Sequence, residues 1–295
     1  MASDTLTRDG DGDAETISGL DALEIAGRER GPGPAGRIWA ATWPKLAAVA
    51  LTVAVWELVV LSGWRPEYAL PAPRTVAEEL WQQLRGAQLW DGVALTLQRA
   101  ALGYLFSVLV GLLVGLAVAR FRILRAAIGS MITALQTMPS IAWFPLAILL
   151  FQLSEATIFF VVVFGAAPSI ANGVLSGVDY VPPLLVRAGR NIGARGLDLY
   201  RYVIGPAALP AIVAGLKQGW AFSWRSLMAG ELIVGGISQT ALGAQLTYAR
   251  ELADAPWLLS TMIVILVLGL LVDAAFGAAD RAIRRRWGVL DQAGN

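Results

Sequence analysis

Asp179–Pro206 reads DYVPPLLVRAGRNIGARGLDLYRYVIGP, a polar stretch held between two long apolar runs. Its neighbours can dissolve in lipid. A segment carrying Arg187, Arg190, Arg195 and Arg201 cannot, and the bias of basic residues toward the cytoplasm puts it on the inner side of a membrane. Its local chemistry predicts two short helices joined by a turn. Asp179 can cap the first, Pro182 and Pro183 suit its opening turn, Gly193 can take the left-handed turn that ends it, and Pro206 closes the second. Leu184, Leu185 and Ala188 form a small apolar face beside Arg187, Arg190 and Asn191. A short amphipathic helix held off the membrane suits docking into another protein; a basic loop resting on lipid headgroups would use the same residues.

The composition of the whole chain agrees with a membrane setting. Of 295 residues 56% are hydrophobic and 15% charged, with a mean hydropathy of +0.60. Soluble domains carry roughly 25% charged residues, so this is a polytopic membrane protein. The net charge of +1 conceals segregation: eight acidic residues precede Gly31, whereas the basic residues cluster between the apolar runs. The sequence contains no His and no Cys, which excludes imidazole and thiolate metal sites, haem ligation, Cys nucleophiles, Ser-His chemistry and disulfides. Only Lys45 and Lys217 are lysines, and neither stands in a phosphate-cradling G-x-x-x-x-G-K-[ST] loop. If the protein's work needs ATP, another chain supplies the ATPase.

In chain order, residues 1–42 read as a disordered acidic cytoplasmic tail, with too little apolar surface to fold alone and no basic-then-apolar opening of a secretory signal. Six spans are expected at about Leu46–Ser62, Ala100–Ala119, Ala126–Phe151, Ala156–Ser176, Ala207–Gly235 and Leu258–Ala279. Trp43 and Trp64 suit the interfaces of the first, which carries Glu57. Arg65–Thr96 is expected outside, with one amphipathic surface helix. Gly111 and Gly115 in the second span have the spacing of close helix approach. Pro139 and Pro145 predict a kink in the third. Residues 43–288 then form one transmembrane domain, with 289–295 a cytoplasmic tail. Six crossings put both termini inside, and 16 basic residues then lie inside against five outside (Arg65, Arg74, Arg85, Arg99 and Arg250).

The fifth span carries its own charges. At 1.5 Å per residue Lys217 lies about 16 Å beyond Pro206, near mid-membrane, and Arg225 about 28 Å, near the outer end. Stepping by 100°, Lys217, Trp220, Trp224, Met228 and Glu231 share one stripe, flanked by Arg225. Intramembrane cations face an interior or an aqueous path, so the stripe is a candidate anion pathway. Pairing of Lys217 and Arg225 with Glu57 or Glu231, or snorkelling to an interface, is the competing account.

The central loop also resembles the cytoplasmic "EAA" loop of binding-protein-dependent ABC importer permeases. Ala188, Gly193 and Pro206 fall at that pattern's spacing and Val203 is a mild change, whereas Arg187 replaces Glu, Gly189 replaces Ala and Gly205 replaces Leu. The resemblance runs from about residue 44 to 288. Further stretches, LPAPRTV at 70–76, QTMPSIAWFPL at 136–146, PSIANGVLSGV at 168–178 and GLKQGWAFSWRSLMAGEL at 215–232, are most similar to the nitrate/sulfonate/taurine branch. The resemblance implies an all-α type I importer (MetI-like) fold of six transmembrane helices in a bacterial-type inner membrane. It implies two cytoplasmic ABC ATPase subunits, an extracytoplasmic solute-binding protein and a second permease copy, as a homodimer or a pair. ATP and Mg²⁺ would belong to the ATPase, with no cofactor on this chain and no nucleic-acid partner. Arg187, Ala188, Gly189, Arg190, Gly193, Ala194 and Pro206 would form the coupling loop, its first helix seated in the ATPase. The implied solute is a small oxyanion, an aliphatic sulfonate or taurine ahead of nitrate, with bicarbonate or a pyrimidine precursor as the alternative. An ion-coupled secondary transporter using Glu57, Lys217 and Glu231 lacks support from any repeat of spans one to three in four to six. An intramembrane enzyme lacks paired carboxylates on a common span.

Overall fold

The computed structural model describes residues 34–234 and 240–286, and every regular element among them is helical. The acidic residues 1–33 and the C-terminal residues 287–295 lie outside the described residues. The chain divides into two units, Met1–Trp64 and Arg65–Asn295.

The first unit contributes α1, Pro34–Leu61, which begins ahead of the boundary at residue 42. Its stretch Thr42–Leu61 is 20 residues long and apolar, about 30 Å of helix, enough for a bilayer core. Gly63 follows at φ +67°, the left-handed turn that stops a helix without a Cβ penalty.

In the second unit α2, Pro73–Arg85, is the expected amphipathic helix, started by proline in its first turn and burying Val76. α3 follows after a single glycine and spans Ala87–Arg120. Its 34 residues make about 51 Å, so its first turns extend beyond a bilayer core. The second span therefore belongs to a helix that starts thirteen residues before Ala100, and Arg99 is a helix residue rather than part of an outer loop.

The third span is not one kinked helix. α4, Arg122–Thr137, and the segment Ser140–Phe151 meet at 107°, with a tight 3₁₀ turn at Ser140–Trp143 leading into α5, Phe144–Phe151. Pro139 has no N–H to continue the ladder and drives the residue before it out of helical geometry: Met138 is extended at φ −73°, ψ 129°. Pro145 lies in the opening turn of α5, where no N–H is needed, and causes no kink.

The centre of the unit is α6, Glu155–Asp179, buried along most of its length. α3 lies against it through small residues: a Cβ on Gly111 would come within 2.7 Å of the Ile170 Cβ, and one on Gly115 within 2.9 Å of the Val174 Cβ. The polar loop contributes the short α7, Pro183–Asn191, and beyond it α8, Leu197–Val234, approaches α6 more closely still. A Cβ on Gly173 would stand 2.7 Å from the Gly215 Cα, and the reverse holds for Gly215. Lipid gives helices no hydrophobic reason to associate, so this intimate backbone approach supplies the dispersion contact instead.

The remaining helices are α9, Leu242–Glu251, and α10, Ala255–Arg286. Asp254 accepts a bond from the Trp257 N–H at 3.0 Å and so caps α10. Five described helices are long and apolar enough to cross a membrane, six if the bent pair counts as one span.

Candidate functional site

The polar loop is built around α7. Pro182, at φ −55° and ψ 129°, precedes it and Pro183 opens it, but Asp179 does not cap it. Asp179 is the last residue of α6 and its carboxylate accepts from the Arg125 guanidinium, which ties α6 to α4. The C-terminus of α7 is a closed Schellman turn: Ala194 N donates to Gly189 O at 3.0 Å and Gly193 N to Arg190 O at 3.1 Å. Gly193 takes φ +93°, which the motif requires and which L side chains rarely adopt. Gly189 is buried, and a Cβ there would sit 2.8 Å from Val203 Cγ2 and 3.1 Å from Leu199 Cδ1, so α7 lies directly on the start of α8. The opposite side is bare: Leu184 is 75% and Ile192 86% exposed, with Arg187 and Ala188 exposed between them.

Pro206 closes nothing. The chain is helical from Leu197 to Val234, with a widened π turn at Tyr200–Ile204 in which Gly205 N donates to Tyr200 O. Pro206 cannot donate to the carbonyl of Tyr202, and its ring would press against it; the wider turn relieves both conflicts without ending the helix.

Between α8, α9 and α10 lies a cavity of about 490 Å³. Trp220, Trp224, Arg225 and Met228 of the predicted stripe line it, with Leu246 and Asp273 among the facing residues. The aromatic wall is preassembled. Trp220 stacks on Trp224 (centroids 6.1 Å) and Phe276 (5.6 Å) and meets Tyr104 edge-on at 5.3 Å. The Tyr104 hydroxyl donates to Leu216 O at 3.0 Å. Arg225 donates to Ala221 O at 3.2 Å, and its guanidinium lies 5.0 Å from the Phe222 ring centre. Lys217 lies one turn below Trp220, and its Nζ is 3.5 Å from Asp273 Oδ1. A cation, indole faces and a carboxylate thus border one mostly apolar space.

Glu231 leaves the stripe. It is 1% exposed and sits in a second cluster, where its carboxylate accepts from Thr96 Oγ1 at 3.0 and 3.1 Å, from Gly243 N at 3.0 Å and from Arg99 Nη1 at 3.4 Å. Leu242 N donates to Thr96 Oγ1 at 3.1 Å, so the opening of α9 is held by a carboxylate and a hydroxyl, the partners a helix N-terminus favours. Arg99 Nη2 reaches Glu155 at 2.6 Å in the first turn of α6. Four helices are joined here.

Three residues that matter escaped the sequence reading. Asp273 is a lone carboxylate within the last apolar run, and the rule that flags Lys217 flags it equally. Thr96 and Arg99 stand three apart on one helical face, a signal readable only once α3 is known to start before them.

The second unit is thus an all-helical membrane fold with a central buried helix and an exposed basic helix between two long helices. Residues 107–285 match the family described as "Binding-protein-dependent transport system inner membrane component", and the chain belongs to that family: it is an ABC importer permease. A putative ABC transporter permease protein of Methanocaldococcus jannaschii is 30% identical over 78% of this chain and 86% of its own. The taurine transport system permease protein TauC of Escherichia coli is 30% identical over 80% of this chain and 86% of its own. An inward-facing structure of the MetNI methionine ABC transporter shares the fold, with a TM-score of 0.56 and 21% identity over 66% of this chain and 95% of that one. Membership of the family implies an ATPase and a solute-binding protein as partners.

Proposed function

We propose that this permease carries a small anionic organic solute, an aliphatic sulfonate or taurine ahead of nitrate, into the cytoplasm of a bacterial-type cell by alternating access. The observation that carries the choice is the groove. Its wall is largely apolar and aromatic, with Arg225 as the cation in it, which suits a sulfonate joined to a short carbon chain better than a bare inorganic ion. The relative named for taurine is in keeping with this reading. The functional unit is a homodimer on two ATPase subunits in the inner membrane, with both termini inside and the exposed side of α7 seated in the ATPase. Arg187 then meets an acidic residue of that ATPase, the inverse of the family's glutamate. ATP-driven closure draws the two α7 helices together and turns the cavity outward; hydrolysis resets it.

The test is uptake into proteoliposomes holding the permease, its ATPase and the binding protein. Labelled taurine and an alkanesulfonate should accumulate with ATP, and unlabelled nitrate should not compete at equal concentration. Equal competition by nitrate, or uptake of neither sulfonate, would reject the solute assignment. Uptake that persists without the ATPase would reject the mechanism.

A further inference from the structure

The inner face carries a second cavity, of about 540 Å³, walled by Arg120, Arg190, Arg195, Tyr200 and Ile204 among others. Its three guanidinium groups come from three elements: the last turn of α3, the last turn of α7, and the loop between α7 and α8. No carboxylate in its lining neutralises them. None of the three has a carboxylate within 4 Å among the described residues. The segments around it, 120–125 and 179–204, hold seven arginines against two carboxylates, Asp179 and Asp198, and Asp179 is already engaged by Arg125. Three arginines on one cavity wall, none with a carboxylate partner, suit an anion with several oxygens, and phosphate matches their planar forks best.

The surroundings name the source of that phosphate. Phe121 is 55% and Ile123 84% exposed, directly beyond Arg120, and Tyr202 is 66% exposed beyond Tyr200. The lining itself adds Leu199, Tyr200 and Ile204 to the arginines, and apolar side chains beside basic ones at the inner end of the spans are the arrangement that holds a lipid: acyl chain against the apolar groups, headgroup among the arginines. The geometry points to a binding site for the headgroup of an anionic phospholipid of the inner leaflet, set against the coupling loop. It rests on the inner-face assignment made above. Because Arg190 belongs to α7 and Arg120 to α3, a bound headgroup bridges the two and restrains the coupling helix relative to the bundle.

The experiment uses the purified full-length protein in a neutral detergent and a short-chain, tail-labelled phosphatidylglycerol, with the matching phosphatidylcholine as the uncharged comparison. The phosphatidylglycerol should bind more tightly. R120Q/R195Q should weaken it on the order of 30-fold, about fivefold per arginine at a membrane surface. R120K/R195K should restore most of the loss, and R250Q, on the outer face, should change nothing. Equal binding of both lipids, or an unchanged affinity in R120Q/R195Q, overturns the proposal. So does displacement of the lipid by millimolar inorganic phosphate, which would make the ligand a soluble anion. If R120Q/R195Q keeps its lipid and instead loses the ATPase on co-purification, the arginines serve the ATPase and the proposal fails. The lipid measurement needs neither transport nor ATP, so a failed uptake assay leaves it readable.

Discussion

Glu231→Ala should be the most damaging single truncation of a charged side chain in this protein. Its carboxylate satisfies Thr96 Oγ1, Gly243 N and Arg99 Nη1 in a site with 1% exposure. Without it Thr96 and Gly243 each lose a buried acceptor, at about 1–3 kcal/mol per orphaned group. Arg99 keeps only Glu155. Removing the buried partner leaves Arg99 with only a half-exposed, solvent-screened one, and the total loss should be about 3–5 kcal/mol. Distance alone suggests a different ranking, because Arg99 lies nearer Glu155 (2.6 Å) than Glu231 (3.4 Å). Exposure decides the matter: the Glu155 side chain is 53% accessible and Glu231's is 0%, so the shorter pair is the screened one. Glu155→Ala should therefore cost less than about 1 kcal/mol.

The assay is reversible unfolding by SDS in mixed micelles, on E231A, E155A, R99A and the double variant E231A/R99A. The double variant should be at least about 1 kcal/mol more stable than the summed single losses, since removing both charges leaves neither stranded. Glu155→Ala costing more than Glu231→Ala, or additivity of E231A and R99A within about 0.5 kcal/mol, would refute the reasoning.

Two further outcomes follow from the same geometry. Gly173→Leu drives a side chain into backbone 2.7 Å away, with no flexible neighbour to yield, and should cost more than the roughly 1–3 kcal/mol of ordinary overpacking; membrane-inserted protein recovered after mild detergent extraction should fall sharply, and normal recovery would mean α6 and α8 are not in backbone contact. Lys217→Ala should depress solute uptake without lowering the amount of protein, and adding Asp273→Ala should recover part of the loss, because the single variant leaves Asp273 without the ammonium 3.5 Å away; unchanged uptake in K217A removes Lys217 from the pathway.

The sequence carried the helical class and the positions of most spans, because long apolar runs separated by arginines have few other readings in lipid. It carried Gly193 as well, since a glycine just past the short apolar face that Pro183 opens has an obvious use as a stop. It could not carry the break at Pro139 as opposed to a kink. A proline only removes a bond, and whether the chain then bends slightly or turns through 107° depends on what α6 offers for packing. Pro206 failed in the opposite sense: read as a terminator, it is absorbed by a π turn because α8 is held on both sides of it. Glu231 shared a helical stripe with Trp220 and Trp224, but a stripe says nothing of which neighbour covers each level. The opening of α9, further along the chain, claims the carboxylate.

These placements make α8 the element on which the proposed function turns. It is helical for 38 residues, about 57 Å, and meets all three sites along its length. α7 rests on its first turns at Gly189, the groove is cut into its middle, and Glu231 fastens its outer end to α3 and α9. A displacement of α7 bears on Leu199 and Val203 with no slack, since even a methyl group at residue 189 would overlap them. That contact falls on the π turn, where the backbone is already loosened and a change of direction costs least. The outer end is the opposite case, a buried carboxylate with every donor in place. In the proposed cycle a push on α7 therefore tilts α8 about a firm anchor at Glu231, and the residues between the two, Trp220 and Trp224, are those whose position relative to α10 changes.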